Sequence, residues 1–242
     1  MPTTSHFADV SVATITLADE DSAAGLLKSL TALSQLGLRV AVTDGGSPES
    51  FLTVVRNLPG FDVQKVAQRG LVGQVMASIA RAIEWKTPYV FYTEPDKEMF
   101  FSAHLASFLQ RALSETPGGI AIAARSRAAF DTFPETQRTT ESCLNTLCSG
   151  VTGVATDYTY GPFLAESALL PRVEGANLSL GWGWRTFLFV LAHRMGYRLS
   201  SIPGDFLCPA SDRVNTESEQ LHRMRQLVQN VNGVLAAMGQ PL

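Results

Sequence analysis

"YVFYTEPDKE", Tyr89 to Glu98, reads as a buried strand that runs straight into charge. Tyr89, Val90, Phe91 and Tyr92 are aromatic or β-branched, and Glu94, Asp96, Lys97 and Glu98 follow at once. A strand with one wet face alternates apolar and polar residues, whereas this one holds its charges back to the C-terminal end. Strands of that kind sit inside parallel sheets, whose C-terminal edge is where ligands collect.

The chain on either side supports a parallel sheet. "VSVATIT" (Val10 to Thr16) is rich in β-branched residues, as strands are. Asp21 or Ser22 can cap the helix that follows, in which Ala23, Leu26, Leu27, Leu30 and Leu33 keep helical spacing. "LRVAVTDGG" (Leu38 to Gly46) is a second strand, broken at Asp44-Gly45-Gly46. Ser47 then reads as an N-cap with Pro48 in the first turn of a short helix to about Asn57. "FDVQKVA" is a third, weaker strand, and Gly70 to Glu84 is a helix with Val72, Val75, Met76, Ile79, Ala80 and Ile83 on one face. This alternation predicts an α/β fold, a mostly parallel central sheet flanked by helices.

Beyond the opening strand the pattern is looser. A helix from about Phe101 to Leu113 leads to the apolar strand "IAIAA", Ile120 to Ala124. Arg125 to Tyr160 resists assignment beyond one helix, Thr139 to Cys148, and a turn follows at Tyr160-Gly161-Pro162. A helix begins near Trp184 and Gly196 stops it, before a short strand "YRLSSIP". Thr216-Glu217-Ser218-Glu219 is a capping box for a last helix carrying Leu221, Met224, Leu227, Val228, Val231 and Leu235. No repeat or Pro/Gly-rich linker interrupts the chain. It is therefore expected to form a single domain, with halves at about residues 8–98 and 99–210 and a terminal helix at about 214–240.

Composition narrows the function classes. The 242 residues are 45% apolar and 17% charged, which fits a compact fold. A formal charge of -3 supplies no basic field for nucleic acid or an anionic membrane. The apolar stretch Trp184 to Ala192 is too short to span a bilayer, and "MPTTSHFADV" lacks the basic and apolar regions of an export signal. Cys143, Cys148 and Cys208 match no zinc spacing. The expected location is the cytoplasm.

Three polar clusters end expected strands: "ADEDS", "TDGGS" and "TEPDKE". Asp44 is placed to hydrogen-bond a ribose or base, and a turn with a helix cap is the plainer reading of the same residues. In extended backbone Glu94 and Asp96, two apart, point the same way and are able to share one hard divalent cation. The alternative is a solvated strand end in which Lys97 pairs with one acid.

In this order the motifs resemble glycosyltransferases of the GT-A fold, above all family 2 and the mannosylglycerate and glucosyl-3-phosphoglycerate synthases. The resemblance rests on the acidic loop "LADEDS", the strand end "VTDGGS", the helix "RGLVGQVMASIARAI", "FYTEPDKE" in the place of an Asp-x-Asp motif, and "GWGWRTFLFVLAHRMGYRLSSIP". It spans about Val10 to Pro203 and implies transfer of a sugar from a UDP- or GDP-linked donor to a small-molecule or glycan acceptor. It implies nucleotide-sugar binding by Asp44, Glu20, Gly70 and Glu94, and Mn2+ or Mg2+ held by Asp96 and Glu94. Tyr160, Gly161, Trp182 and Trp184 would then line the acceptor site, although the tryptophans also suit core packing at a helix start.

Some positions depart from the family pattern. Glutamate replaces the first aspartate of the metal motif, and Gln74 stands where a basic residue often meets phosphate. Arg185 follows Trp184 where many inverting members carry a basic carboxylate, which leaves Asp157, Glu166 or Glu174 to serve as base. Asp157 and Arg185 are thus the candidate catalytic residues. His222 is the only histidine beyond the acceptor region and would be the one to join the metal, as in retaining relatives, although it begins a regular helix and reads more plainly as a surface residue. Two other readings stand beside the transferase: a degenerate GT-A-like binding module, and a nucleotidyltransferase. The latter calls for a glycine-rich basic loop after the first strand, which "TLADEDS" is not.

Overall fold

The structure, a computed structural model, describes residues 7–65, 70–175 and 178–239. The first elements are β1 (Val10–Thr16), α1 (Ala23–Ser34), β2 (Arg39–Asp44), α2 (Glu49–Arg56) and β3 (Phe61–Lys65). Next come α3 (Leu71–Glu84), β4 (Tyr89–Tyr92), α4 (Glu98–Ala103), α5 (Leu105–Glu115) and β5 (Gly119–Arg125). They are followed by α6 (Arg127–Phe130), α7 (Glu135–Thr152), β6 (Phe163–Glu166), α8 (Trp184–Arg194), β7 (Arg198–Gly204) and α9 (Glu217–Met238). The fold is α/β, with mostly parallel strands flanked by helices. Two compact units share the chain, one of Met1–Gln110 with Pro162–Glu174, the other of Arg111–Gly161 with Gly175–Leu242.

In the first unit the strand order is β3-β2-β1-β4-β6. β1, β2, β3 and β4 are parallel, and β6 runs antiparallel to β4, with Tyr92 opposite Phe163 and Tyr89 opposite Glu166. Every residue of β1 is buried, as a continuous apolar and β-branched run in a covered parallel sheet requires. Phe91 faces a small aromatic core, 6.2 Å from Phe100 and 5.8 Å from Phe108 between ring centres, while Tyr92 stacks on Phe163 at 5.5 Å. Such rings bury large areas and fix β4, so its C-terminal end is a firm platform. The expected third strand is found as β3, and its last two residues, Val66 and Ala67, lie outside the described residues.

The second unit holds the parallel pair β5 and β7 and the helices α7, α8 and α9. β5 is buried throughout, and α8 is buried on all sides from Trp184 to Ala192. A helix buried all round, with Arg185 and Thr186 the polar members of the stretch, belongs to an interior. Here glycine has a clear steric task. A Cβ on Gly183 would lie 2.0 Å from the Gln229 carbonyl oxygen, and one on Gly233 2.0 Å from that of Gly183. Backbones this close leave no room for a side chain, and Thr186 Oγ1 donates to the Asn230 carbonyl across the same crossing at 2.8 Å.

Several expectations shift by small amounts. The single helix expected at Phe101 to Leu113 is two, α4 and α5, divided at His104. The helix read at Thr139 to Cys148 extends to Glu135–Thr152. Neither Ser22 nor Ser47 caps a helix through its side chain; the N-cap positions of α1 and α2 are Ser22 and Pro48, with no side-chain cap bond at either. Thr216 does cap α9, its Oγ1 accepting from Glu219 N at 3.3 Å.

Candidate functional site

The C-terminal ends of β1, β2 and β4 meet at one edge of the first unit, and side-chain hydroxyls join them. Thr16 is the last residue of β1 and Asp44 the last of β2, paired in register. Asp44 is 2% exposed, and its carboxylate is fully engaged. Oδ1 accepts from Thr16 Oγ1 at 3.0 Å and Ser47 Oγ at 2.5 Å, and Oδ2 accepts from Gly46 N at 2.8 Å and Ser47 N at 2.9 Å. Ser47 Oγ also accepts from Ala18 N at 2.8 Å, and Gly45 N donates to the Thr16 carbonyl at 2.7 Å. Both loops are thereby tied together on one buried carboxylate, an arrangement that satisfies every partner.

This changes the part Asp44 plays. A carboxylate with all its accepting positions occupied by protein donors is a brace, and it fixes the backbone around it. Gly46, at φ 127, has open space where a Cβ would stand, and so does Gly70, at φ 99, the N-cap of α3. Both conformations are costly for other residues, so glycine keeps two stretches of backbone bare. The first turn of α3 is the positive end of a helix of 14 residues, with backbone N–H groups that the helix itself does not bond, the local chemistry of diphosphate binding. Gln74, where a basic residue was looked for, is buried with its amide against Gly45, so close that a Cβ there would lie 2.5 Å from Nε2.

The acidic loop after β1 is exposed from Asp19 to Ser22. Asp19 Oδ1 accepts from Ser22 N at 2.8 Å and from Ser22 Oγ at 2.6 Å, and these bonds hold its carboxyl below the usual carboxylate range. Glu20 stands beside this turn, exposed.

Glu94 and Asp96 do not share one side of an extended strand. β4 ends at Tyr92, and a turn at Pro95-Asp96 puts them in different surroundings. Glu94 is buried at 7% exposure, while the Asp96 side chain is 59% exposed, its Oδ1 3.1 Å from Lys97 Nζ. The i, i+2 rule holds only while the backbone stays extended. Among the described residues no group of three or more His, Cys, Asp or Glu side chains is set to hold a metal ion. What the donor set fits is a hard divalent ion that keeps its waters and takes one or two carboxylates together with phosphate oxygens of a ligand. Glu98 opens α4 and pairs with Lys28 at 2.9 Å on the surface, as its place at a helix N-terminus suggested.

The remaining candidates separate clearly. Asp157 is no general base. Arg125, at the end of β5, grips it through Nε to Oδ2 at 2.6 Å and Nη2 to Oδ1 at 3.0 Å. Asn145 Nδ2 and the Thr159 amide and hydroxyl also donate to Oδ1. Burial alone would raise the Asp157 carboxyl, but the charge and hydrogen bonds of Arg125 overcome this and hold it at about 2. Arg125 Nη2 reaches Glu141 Oε2 at 2.6 Å as well, and the guanidinium lies 4.7 Å from the Phe130 ring and 4.4 Å from that of Phe133. Glu166 is also displaced. It sits opposite Tyr89, at the start of β4, because β6 is antiparallel, so it belongs to the far edge from Glu94. The side chain of Glu174 lies outside the described residues.

Trp184 is 0% exposed and is a core residue, which removes it from the acceptor lining. Trp182 is only half-buried, and the Arg185 guanidinium lies 5.4 Å from its ring centre, a cation–π stack. Tyr160 is half-buried and stacks on Phe206 at 5.0 Å, and Gly161 follows at φ 123. His222 is exposed on α9. The hydroxyls of Thr16 and Ser47 and the cation Arg125 were not singled out from sequence. Their signal is a polar residue at the very end of an apolar strand, or three residues past a strand-end aspartate.

No protein-family model and no curated protein matches the sequence. Solved structures do match the fold. Mannosyl-3-phosphoglycerate synthase from Rubrobacter xylanophilus superposes with a TM-score of 0.68 at 16% identity, covering 96% of this chain and 76% of that one. Glucosyl-3-phosphoglycerate synthase from Mycobacterium tuberculosis, in complex with Mn2+, UDP and phosphoglyceric acid, gives 0.65 at 15% identity over 96% and 79%. TarS 1-349 from S. aureus gives 0.52 at 18% identity over 94% and 72%. The strand order, the braced edge at Asp44 and these superpositions agree on one conclusion: the chain has the GT-A fold.

Proposed function

We propose that the protein is a glycosyltransferase that moves a sugar from a nucleotide-sugar, UDP-linked in the first instance, to a small acceptor. The observation that carries this reading is the buried brace of Thr16, Asp44 and Ser47, which presents bare backbone at Gly46 beside the N-terminus of α3. Nothing in strand packing requires so many donors on one carboxylate at a ligand-collecting edge. The structures with Mn2+ and UDP bound to a similarly folded synthase support the choice of nucleotide and ion.

In this reading the loop at Gly46 and the exposed Glu20 hold the nucleoside, and the first turn of α3 after Gly70 meets the diphosphate. Asp96 and, by local rearrangement, Glu94 would hold Mn2+ or Mg2+, which when bound neutralises charge on the departing diphosphate. Trp182, Arg185 and Tyr160 with Gly161 supply the flat faces and the cation for a small anionic or sugar-like acceptor. With Asp157 locked and Glu166 at the opposite strand edge, neither acts as base, and Glu174 is the one of the three candidates left to an inverting reaction. The location proposed is the cytoplasm, and no helix among the described residues is long and apolar enough to cross a membrane.

A binding module without transfer is the second reading, favoured by the exposure of Asp96 and its pairing with Lys97. Thermal melts with UDP, GDP and their glucose and mannose derivatives, with and without Mn2+, test the first step. Release of UDP on adding 3-phosphoglycerate or glycerate tests the second. Stabilisation by UDP with Mn2+ and turnover is the expected result. Stabilisation with no turnover across acceptors supports the module, and no nucleotide effect at all overturns both.

A further inference from the structure

Helix α9 turns the wrong face outward for a terminal helix. Its buried residues are Asn230, Gly233, Val234 and Ala237, of which only Val234 carries an aliphatic side chain larger than a methyl group. Leu221 is 47% exposed, Met224 49%, Val228 60%, Leu235 63% and Met238 50%. With the half-buried Val231 these residues are spaced 3, 4, 3, 4 and 3 apart, so they fall on one continuous stripe of the helix. A single exposed leucine needs no explanation; a heptad stripe along a 22-residue helix does.

The stripe is complementary to itself. Turned end for end, it sets Leu221 against Met238, Met224 against Leu235 and Val228 against Val231 of an identical stripe. Large side chains then meet at the two ends and small ones at the centre, where the helices come closest. The antiparallel sense also opposes the helix dipoles. Along one edge the exposed Arg225 comes beside an exposed neutral amide, Asn232, so no like charges are brought together. Those five side chains expose roughly 500 Å² on each copy, so mutual burial removes about 1,000 Å², the area at which specific association begins. A membrane surface suits the stripe poorly, because Glu217 and Glu219 lead into it and the chain carries a net charge of -3.

We propose that the α9 stripe pairs with the same stripe of a second copy, antiparallel about a two-fold axis, and that the protein is a homodimer in solution. The contact is isologous, so it closes at two copies. Its core is the Val228–Val231 pair and its outer layers are the leucines and methionines.

Sedimentation equilibrium reads the outcome directly. The mass is expected to rise from 26.1 kDa toward twice that value with concentration. Val228→Glu and Leu235→Glu place charge in the stripe and are expected to weaken association at least ~10-fold, about 1.4 kcal/mol. Both positions are exposed in the monomer, so thermal melts of the dilute variants are expected to stay with the wild type, and Val228→Gln serves if either variant folds poorly. Orientation is read by disulfide trapping in a Cys143→Ser background, where Met224→Cys chains are expected to cross-link to Leu235→Cys chains and not to one another. A wild type of single-chain mass at every concentration overturns the proposal, as does a dimer that both glutamate variants leave intact. Cross-linking of Met224→Cys chains to each other overturns the antiparallel pairing. Flotation of a monomeric wild type with phosphatidylcholine–phosphatidylglycerol vesicles assigns the stripe to a membrane and overturns it too.

Discussion

Replacing Asp157 with asparagine keeps the shape of the side chain and removes its charge, so it separates a structural role from a catalytic one. In the wild type the carboxylate takes Arg125 in a two-pronged grip and accepts further bonds from Asn145 and Thr159. Its folded pKa of about 2 lies well below the ordinary 3.8, a preference for the charged form of ~2–3 kcal/mol. Because the folded value is depressed, this contribution is complete above the unfolded value of about 3.9 and fades as pH falls towards 2. Linkage places the loss at ~1 kcal/mol by pH 3 and ~2 kcal/mol by pH 2.

In Asp157→Asn the amide N–H must face a guanidinium, and of its two carboxylate partners Arg125 keeps Glu141. Breaking a buried pair from one side costs ~3–5 kcal/mol. Urea unfolding followed by tryptophan fluorescence is the suitable assay, because Trp182 and Trp184 lie in the same unit as Asp157. The variant is expected to be less stable by ~3–5 kcal/mol at pH 7, with the gap closing by ~2 kcal/mol near pH 2. A catalytic base would behave in the opposite way, losing turnover with stability intact. A deficit below ~1 kcal/mol that stays level with pH would refute the reasoning.

The same logic reverses the simple expectation for Asp44. A carboxylate free to meet a nucleoside would leave the melting temperature unchanged on removal, but Asp44→Ala strands two amides and two hydroxyls, and is expected to lower stability by ~3 kcal/mol or more along with UDP affinity. An unchanged melt with binding lost would make it a direct ligand. Asp96→Asn is expected to abolish Mn2+-dependent UDP binding and Glu94→Gln to weaken it, as read by calorimetry. Glu98→Gln is expected to cost under ~0.5 kcal/mol, because its pair with Lys28 is surface-exposed; equal effects from all three would sink the metal reading. Trp184→Ala is expected to cost ~3–5 kcal/mol as a core truncation, whereas Trp182→Phe is expected to spare stability and raise the acceptor KM. An unmoved KM would take Trp182 out of the acceptor site.

What was legible in the sequence followed from periodicity. β1, β2 and β4 carry continuous apolar or β-branched runs because both faces of their strands are covered, and no other environment selects that pattern. β6 is hidden because its Phe-Leu-Ala-Glu carries no β-branched residue, unlike the equally short β4, and its antiparallel sense then decides against Glu166, a matter no local pattern records. The acids of "TEPDKE" were found and their geometry was misjudged for one reason. The i, i+2 rule presupposes extended backbone, and Pro95 ends it. Asp157 illustrates the limit from the other side, since its partner Arg125 is 32 residues away in sequence and only folding brings them together.

The last helix carries the same lesson into energetics. Leu221, Met224, Leu227, Val228, Val231 and Leu235 are legible as the apolar residues of one helix, and the apolar face of an amphipathic helix ordinarily points to the core. The chain instead buries the neighbouring face, because the crossing with Gly183 demands a side without bulk, and only the Gly233 face of α9 allows the backbones to approach within reach of the Thr186–Asn230 bond. Steric access therefore outranks hydrophobicity in choosing which face of α9 turns inward. The larger residues are left on the surface as a consequence, open to the pairing proposed for α9. Sequence supplied the stripe, but two glycines 50 residues apart decided its direction.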